Sequence, residues 1–445
     1  MKTQFRRSVF VLLALSVSLP GIGEISAAQP NILIITADNL GYGDLPCFNS
    51  QSPVLAPHLT RLASQGARLT QFYTASPTCT VSRACLLTGR VAQRHGLTNQ
   101  LPGIAGNYGR GLDPTEILIP QVLKKAGYAT GCFGKWNIGF APGSRPTERG
   151  FDEFLGHASG NIDYYTHNYN RKHDLYRGIK EAHVDGYSTD LFADAASDFI
   201  RRQTKAAKPW FAYLPFNAPH FPNPRNKAEN EPCIWQAPDA AFRAYGYDPE
   251  TGDERQRYQA VITALDTAIG RVLKTLDELS IAEETFVFFY SDNGAFMLKQ
   301  RGLEVASNAP LRDGGVTCWE GGIRVAAIAR WPQKIKARKI VDQPLWSPDL
   351  FIACARIAGA DLPPDVILDG RNPLPVLAED KPSPHKSLYF RFRRYTALRM
   401  GDWKIVRTRE TEPWKLFDLS QDIAERNDVA AKETQRLKQL VGEFP

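Results

Sequence analysis

The sequence predicts an α/β protein, with a large mixed, mostly parallel sheet sandwiched by helices and a small C-terminal α+β antiparallel-sheet subdomain. Three observations carry this. Short, continuously apolar runs rich in β-branched and aromatic residues end abruptly in turn residues, as strands buried on both faces do. Segments of helical period lie between them, the alternation expected of a parallel sheet. After about residue 380 the texture changes to short strands joined by tight turns.

Residues 1–28 read as an export signal. Lys2, Arg6 and Arg7 give a positive start, Val9 to Leu19 an apolar stretch too short to span a bilayer, and Ser26-Ala27-Ala28 a cleavage site. The mature chain is therefore expected to be periplasmic or secreted, with no membrane span. Residues 29–380 read as the α/β domain. Its first strand, Asn31-Ile32-Leu33-Ile34-Ile35-Thr36, releases Asp38-Asn39 at its C-terminal end. Trp210-Phe211-Ala212-Tyr213-Leu214 leads into Asn217-Ala218-Pro219-His220, and Thr285-Phe286-Val287-Phe288-Phe289-Tyr290 into Ser291-Asp292-Asn293-Gly294. Ligand sites of open α/β sheets collect at such strand ends.

Between these strands, Tyr258, Val261, Ile262, Leu265, Ile269, Val272, Leu276 and Leu279 recur with helical period. Asp190 to Ile200 and Ile117 to Ala126 read the same way, with Pro120 near the start of the latter. Residues 221–257 have no clear period and read as a long surface excursion of the kind that shapes a cleft. In 381–445, Leu388 to Phe392, Tyr395 to Met400, Trp403 to Arg407 and Trp414 to Asp418 read as strands. A polar helix near Lys432 to Val441 ends the chain.

With 445 residues and 43% hydrophobic content the chain can bury a large core, and 23% charged residues argue against disorder. The net charge of +7 is modest, and Lys and Arg are scattered, which reads mostly as solvated surface charge while suiting an anionic substrate; no nucleic-acid partner is expected. None of the seven cysteines forms a CxxC pair, so a zinc knuckle is not expected, and the odd count leaves at least one unpaired.

Asp38, Asn39, Asp292 and Asn293 offer oxygen donors, two of them charged. Each pair alone is read most simply as a cap or an Asx-turn. Two pairs at matching strand ends favour a hard divalent cation, calcium or magnesium. In Ser76-Pro77-Thr78-Cys79-Thr80-Val81-Ser82-Arg83, a polar loop runs into an apolar helical stretch. Cys79 then lies near a helix N-terminus with Arg83 one turn later, a setting that lowers a thiol pKa and attracts anions. That physics reads equally as a reactive cysteine, an anion site or an inert buried thiol.

This segment, with Ala84-Cys85-Leu86-Leu87-Thr88-Gly89-Arg90, resembles the sulfatase signature C-x-P-x-R followed by A-x-L-L-T-G-R. Thr36 to Asp44, Gly134-Lys135-Trp136-Asn137-Ile138-Gly139, Asn217 to His220, Ser291 to Gly294, Trp319-Glu320-Gly321-Gly322-Ile323-Arg324 and Trp414 to Leu419 resemble further landmarks of that family, in family order. The resemblance implies a sulfuric ester hydrolase of the alkaline phosphatase superfamily, acting on a sulfated carbohydrate or a small sulfate ester. It implies that Cys79 is oxidised to formylglycine (3-oxoalanine) by a formylglycine-generating enzyme. One divalent metal, calcium more than magnesium, would be held by Asp38, Asn39, Cys79, Asp292 and Asn293. Arg83 would stabilise the activated Cys79 group, Lys135 would bind sulfate, and His220, a residue titrating near neutrality, would protonate the leaving oxygen.

Four positions depart from the family pattern. Val81 replaces the signature proline, Asn39 an aspartate, and Asn137 a histidine that helps release sulfate. Gly315 stands where a sulfate-binding lysine is usual, a role left to Arg312 or Lys299. Alternatives are therefore a catalytically impaired relative that binds sulfated glycans, or a phosphate or phosphonate ester hydrolase of the same superfamily. His58 and His95 are expected to be structural, and Trp136 and Trp319 to be packing residues.

Overall fold

The computed structural model describes residues 29–101, 111–222, 235–297 and 304–444. The expected signal segment, Cys233 and Lys299 lie outside the described residues.

The three expected strands form the middle of the main sheet. Asn31–Ala37 pairs in parallel with Thr285–Ser291 on one side and Trp210–Pro215 on the other. Ala129–Lys135 and Glu153–His157 extend the parallel run. Arg324–Arg330 joins antiparallel to Thr285–Ser291 and then to Ala67–Tyr73, which makes the eleven-stranded sheet mixed.

Alternation along the central strand shows why it had to be apolar throughout. Leu33 and Ile35 enter one hydrophobic cluster while Ile32 and Ile34 enter another on the opposite face. The first cluster is covered by helices Pro57–Gln65, Ser188–Lys205 and Glu254–Glu278. The second is covered by Cys79–Thr88, Ile119–Lys125 and Asp349–Ile357.

The long helix starts at Glu254, inside the stretch read as an irregular excursion, because Asp253 caps it by accepting from the backbone N–H groups of Arg255 and Gln256. Asp239–Arg243 forms a further short helix there. The C-terminal strands Leu388–Phe392, Tyr395–Met400, Trp403–Arg407 and Lys415–Asp418 make a separate antiparallel sheet. One face of it, through Leu398, Ile405 and Leu416, packs on Leu440 of helix Thr434–Gly442. The other, through Phe390, Val406 and Phe417, packs on Val81, Cys85 and Trp319. The six described cysteines are all free thiols.

His95 is buried in this core. Its Nδ1 accepts from the Leu97 N–H at 3.2 Å, and its Nε2 lies 3.3 Å from Cys85 Sγ. Burial pushes its pKa down to about 4. The unfolded chain therefore takes up a proton below about pH 6.5, and the native state does so only near pH 4. Stability from this residue is full above pH 6.5 and falls between those values by up to about 3 kcal/mol. Urea unfolding from pH 7 to 4 should show this loss, and His95→Gln should flatten the pH dependence.

Candidate active site

The register of the sheet brings the predicted residues together. Ala37 pairs with Ser291, so Asp38 and Asp292 leave adjacent strands at the same level. Lys135 is the last residue of its strand, and His220 follows Trp210–Pro215 by five positions. Cys79 opens helix Cys79–Thr88, whose Gly89 adopts the left-handed conformation (φ 68°) and ends it. Thr78 does not cap this helix with its side chain. Gln100, which sequence reasoning missed, does the work: its Oε1 accepts from Thr80 N at 3.1 Å and Thr78 Oγ1 at 3.0 Å.

Cys79 Sγ lies 3.2 Å from Asp38 Oδ1 and 3.8 Å from Asn39 Oδ1. Lys135 Nζ donates to Asp38 Oδ2 at 2.5 Å. Asn39 N donates to Asp292 Oδ1 at 3.3 Å, and Asn293 Nδ2 to Asn39 Oδ1 at 2.5 Å. Arg83 donates through Nη1 to the Lys135 carbonyl at 3.0 Å, and its Nη2 sits 2.7 Å from Asp292 Oδ2, an ion-pair contact without hydrogen-bond alignment. A nitrogen of His220 lies within 4.8 Å of ligand atoms of both Asp38 and Cys79. Nδ1 of that ring donates to the Phe221 carbonyl at 2.7 Å, which leaves Nε2 as an acceptor. All eight predicted residues thus belong to one constellation.

Two carboxylates and two cations, each at most 1% exposed, balance one another here. Asn293 Oδ1 is buried without a hydrogen-bond donor, and Asp292 Oδ2 has only the Arg83 ion-pair contact. Hard oxygen acceptors left this way beside a second carboxylate, Asp38, fit a divalent cation.

Two electrostatic expectations are corrected. Burial and then the Asp38 carboxylate push the Cys79 thiol well up, against the lowering expected from the helix N-terminus. Desolvation outweighs the dipole because Cys79 is only 2% exposed. His220 does not titrate near neutrality: burial and then Lys135 push it down to about 3, so its resting form is the neutral ring.

Asn39 (φ 64°) and Asn137 (φ 55°) both occupy left-handed backbone, which asparagine, aspartate and histidine all tolerate, so the backbone does not explain either replacement. The buried Asn137 Nδ2 makes no hydrogen bond. Val81 is buried in the apolar cluster beneath the C-terminal sheet. A Cβ at Gly315 would lie 2.0 Å from Phe296 Cδ1, so any side chain there would have to displace that ring. Arg312 does not take the place of the missing lysine: it stacks 3.7 Å over the Trp319 ring and donates to the Glu425 carbonyl at 2.6 Å. Trp136 and Trp319 are buried packing residues.

The loop after Asp292-Asn293 is held from below. A Cβ on Gly294 would meet the Gly321 carbonyl oxygen at 1.7 Å, and its N–H donates to the Gly322 carbonyl at 3.2 Å. Glu320, in the same turn, is fully buried between Lys404 Nζ at 3.0 Å and Tyr73 Oη at 2.6 Å. His157, also unanticipated, is fully buried, stacked on Phe192, with neither ring nitrogen hydrogen-bonded.

The chain as a whole resembles known proteins. The family model described as Sulfatase matches residues 30–360. The chain belongs to the sulfatase family. Among sulfatases it is 31% identical to N-acetylgalactosamine-6-sulfatase of Canis lupus familiaris over 95% of this chain and 80% of that protein. It is 30% identical to steryl-sulfatase of Mus musculus over 89% of this chain and 72% of that one. The crystal structure of Ps i-CgsB superposes with a TM-score of 0.84 at 30% identity, covering 93% of this chain and 92% of that chain. The same protein has been solved in complex with k-i-k-neocarrahexaose. The chain is accordingly a sulfuric ester hydrolase built on the sulfatase fold. No helix among the described residues is long and apolar enough to cross a membrane.

Proposed function

We propose that this chain is an exported sulfatase that removes sulfate from a sulfated carbohydrate, using a formylglycine derived from Cys79 and one divalent metal ion. The convergence of Asp38, Asn39, Asp292 and Asn293 on Cys79, with Lys135 and Arg83 beside them, is the observation that supports it. The carbohydrate class is taken from the names of N-acetylgalactosamine-6-sulfatase and of the neocarrahexaose complex.

In this reading Asp38, Asn39, Asp292, Asn293 and the converted Cys79 hold the cation, calcium in preference to magnesium. Bound there, it supplies Lewis acidity toward sulfate oxygens. Lys135 offers its ammonium to the sulfate, matching charge that grows in the transition state. Arg83 fixes the residue-79 side chain by bracing Asp292 and the Lys135 carbonyl. Neutral His220, with Nδ1 committed to the Phe221 carbonyl, keeps Nε2 to accept the proton released by the attacking hydroxyl of the converted residue 79 and to return it to the departing oxygen. A buried thiol held protonated is a poor nucleophile, consistent with conversion by a formylglycine-generating enzyme before activity. Residues 1–28 direct export to the periplasm or beyond, 29–380 form the catalytic unit, and 381–445 a supporting subdomain.

The test is the initial rate on matched aryl sulfate and aryl phosphate esters, with chelator and after calcium is restored. Sulfate turnover at least about 100-fold above phosphate turnover, lost on chelation and regained with calcium, is expected. Faster phosphate cleavage would sink the reading. Glycan binding with no sulfate release would instead match the unpartnered Asn137 amide and the bare Gly315, the signs of an impaired site.

A further inference from the structure

The space that any residue-315 side chain would need is filled by an aromatic ring. A Cβ on Gly315 would stand 2.0 and 2.2 Å from Cδ1 and Cε1 of Phe296, and 2.7 Å from the Gly294 carbonyl oxygen. Phe296 lies four residues beyond Asp292, and its ring meets His220 edge-to-face at a centroid distance of 6.2 Å and 74°. His220 in turn contacts Phe221 at 4.6 Å, Phe221 contacts Trp235 at 6.0 Å, and Trp235 contacts Tyr258 at 5.4 Å. These five rings line one pocket beside Asn39.

Within it, Ala295, Trp235 and Tyr258 are buried, whereas His220, Phe221 and Phe296 keep an exposed face. Phe296 thus presents part of its ring to the pocket, apolar surface that an apolar ligand face would cover. The ring meets His220, the group placed next to the oxygen that leaves.

We propose that Phe296 is a specificity-determining residue that carries the alcohol part of the substrate. The ester oxygen belongs to a ring with a flat apolar face, a pyranose or an aryl group, and that face stacks on Phe296 while sulfate sits over Cys79. Aromatic faces favour such contacts through dispersion and the electropositive edges of C–H bonds. This deepens the sulfatase reading and rests on it. It also accounts for Gly315: a lysine there would drive Phe296 out of the wall, so a cationic contact and an aromatic one exclude each other at this position.

The experiment compares the full chain with Phe296→Ala, Phe296→Leu and Phe296→Trp on three esters: 4-nitrophenyl sulfate, a monosulfated pyranose and an acyclic alkyl sulfate. The quantity read is kcat/KM for each ring ester divided by kcat/KM for the acyclic one. Phe296→Ala should lower that ratio about tenfold for at least one ring class, mainly through KM, and the class affected identifies the ring. Phe296→Leu, which keeps apolar volume without the π face, should lower it too, and Phe296→Trp should keep it near the starting value.

An unchanged ratio in both Ala and Leu variants, with the unmodified chain active, overturns the inference and leaves the sulfatase reading standing. An unmodified chain that hydrolyses none of the three esters overturns both. Packing is checked separately, because Gly315→Ala should lower Tm and Phe296→Ala should relieve that loss.

Discussion

Cys79→Ala is expected to abolish sulfate ester hydrolysis, lowering kcat by at least about 10⁴-fold, while the fold survives. The side chain is 2% exposed and small, and its helix is held by the Gly89 cap and Gln100, neither of which needs the sulfur. Truncation leaves a gap no larger than one sulfur atom, so stability should change by about 1 kcal/mol. Turnover and thermal unfolding measured on the same preparation separate the two effects. Mass spectrometry of the peptide spanning residue 79 in the chain without substitutions should show exchange of the thiol for a carbonyl. Undiminished turnover in Cys79→Ala would remove this residue from the chemistry.

Lys404→Met should be among the most destabilising single substitutions, at roughly 3–5 kcal/mol. Lys404 is fully buried, 3.0 Å from Glu320 Oε1 and 2.8 Å from Glu425 Oε1, and both carboxylates are also fully buried. Burial pushes Glu320 up, but Lys404, Arg324 and Arg399 more than offset this and hold it low. Glu425 is raised, burial outweighing the pull of Lys404. Methionine fills the volume and removes the charge, leaving Glu425 without its cation while Glu320 keeps Arg324 at 3.4 Å. Glu425, already raised by burial, is then held further above the unfolded value near 4.3, so the penalty is small below that pH and grows as pH rises. Urea midpoints at pH 5 and pH 8 should show the larger loss at pH 8. Adding Glu425→Gln should recover part of it. Because Glu320 sits in the turn that supports Gly294, the variant should also bind calcium more weakly, which calorimetry on the folded fraction would read.

Much of the molecule was legible in the chain of residues alone, because its signals are local. Continuous apolar runs mark strands buried on both faces, and Asn31–Ala37, Trp210–Pro215 and Thr285–Ser291 follow from them. The Asp-Asn pairs stand where those runs stop, and parallel pairing in register then sets them side by side. Cys79 at the start of a helix with Arg83 one turn on follows from the same local reading.

Three-dimensional packing decided what depends on desolvation and on partners far apart in sequence. The Cys79 thiol is raised and the His220 ring lowered because burial outweighs the nearby helix end and the ordinary imidazole range, and burial is a property of the assembled sheet. Lys404 sits in Trp403-Lys404-Ile405-Val406-Arg407, a strand whose sequence looks half-exposed; only docking against Glu320 makes it a buried cation. Phe296 and Gly315 are nineteen positions apart, and nothing in either neighbourhood reveals that one ring fills the space the other residue leaves. Local pattern chooses elements and their ends, whereas charge state and shape inside a cleft depend on distances that exist only once those elements have packed.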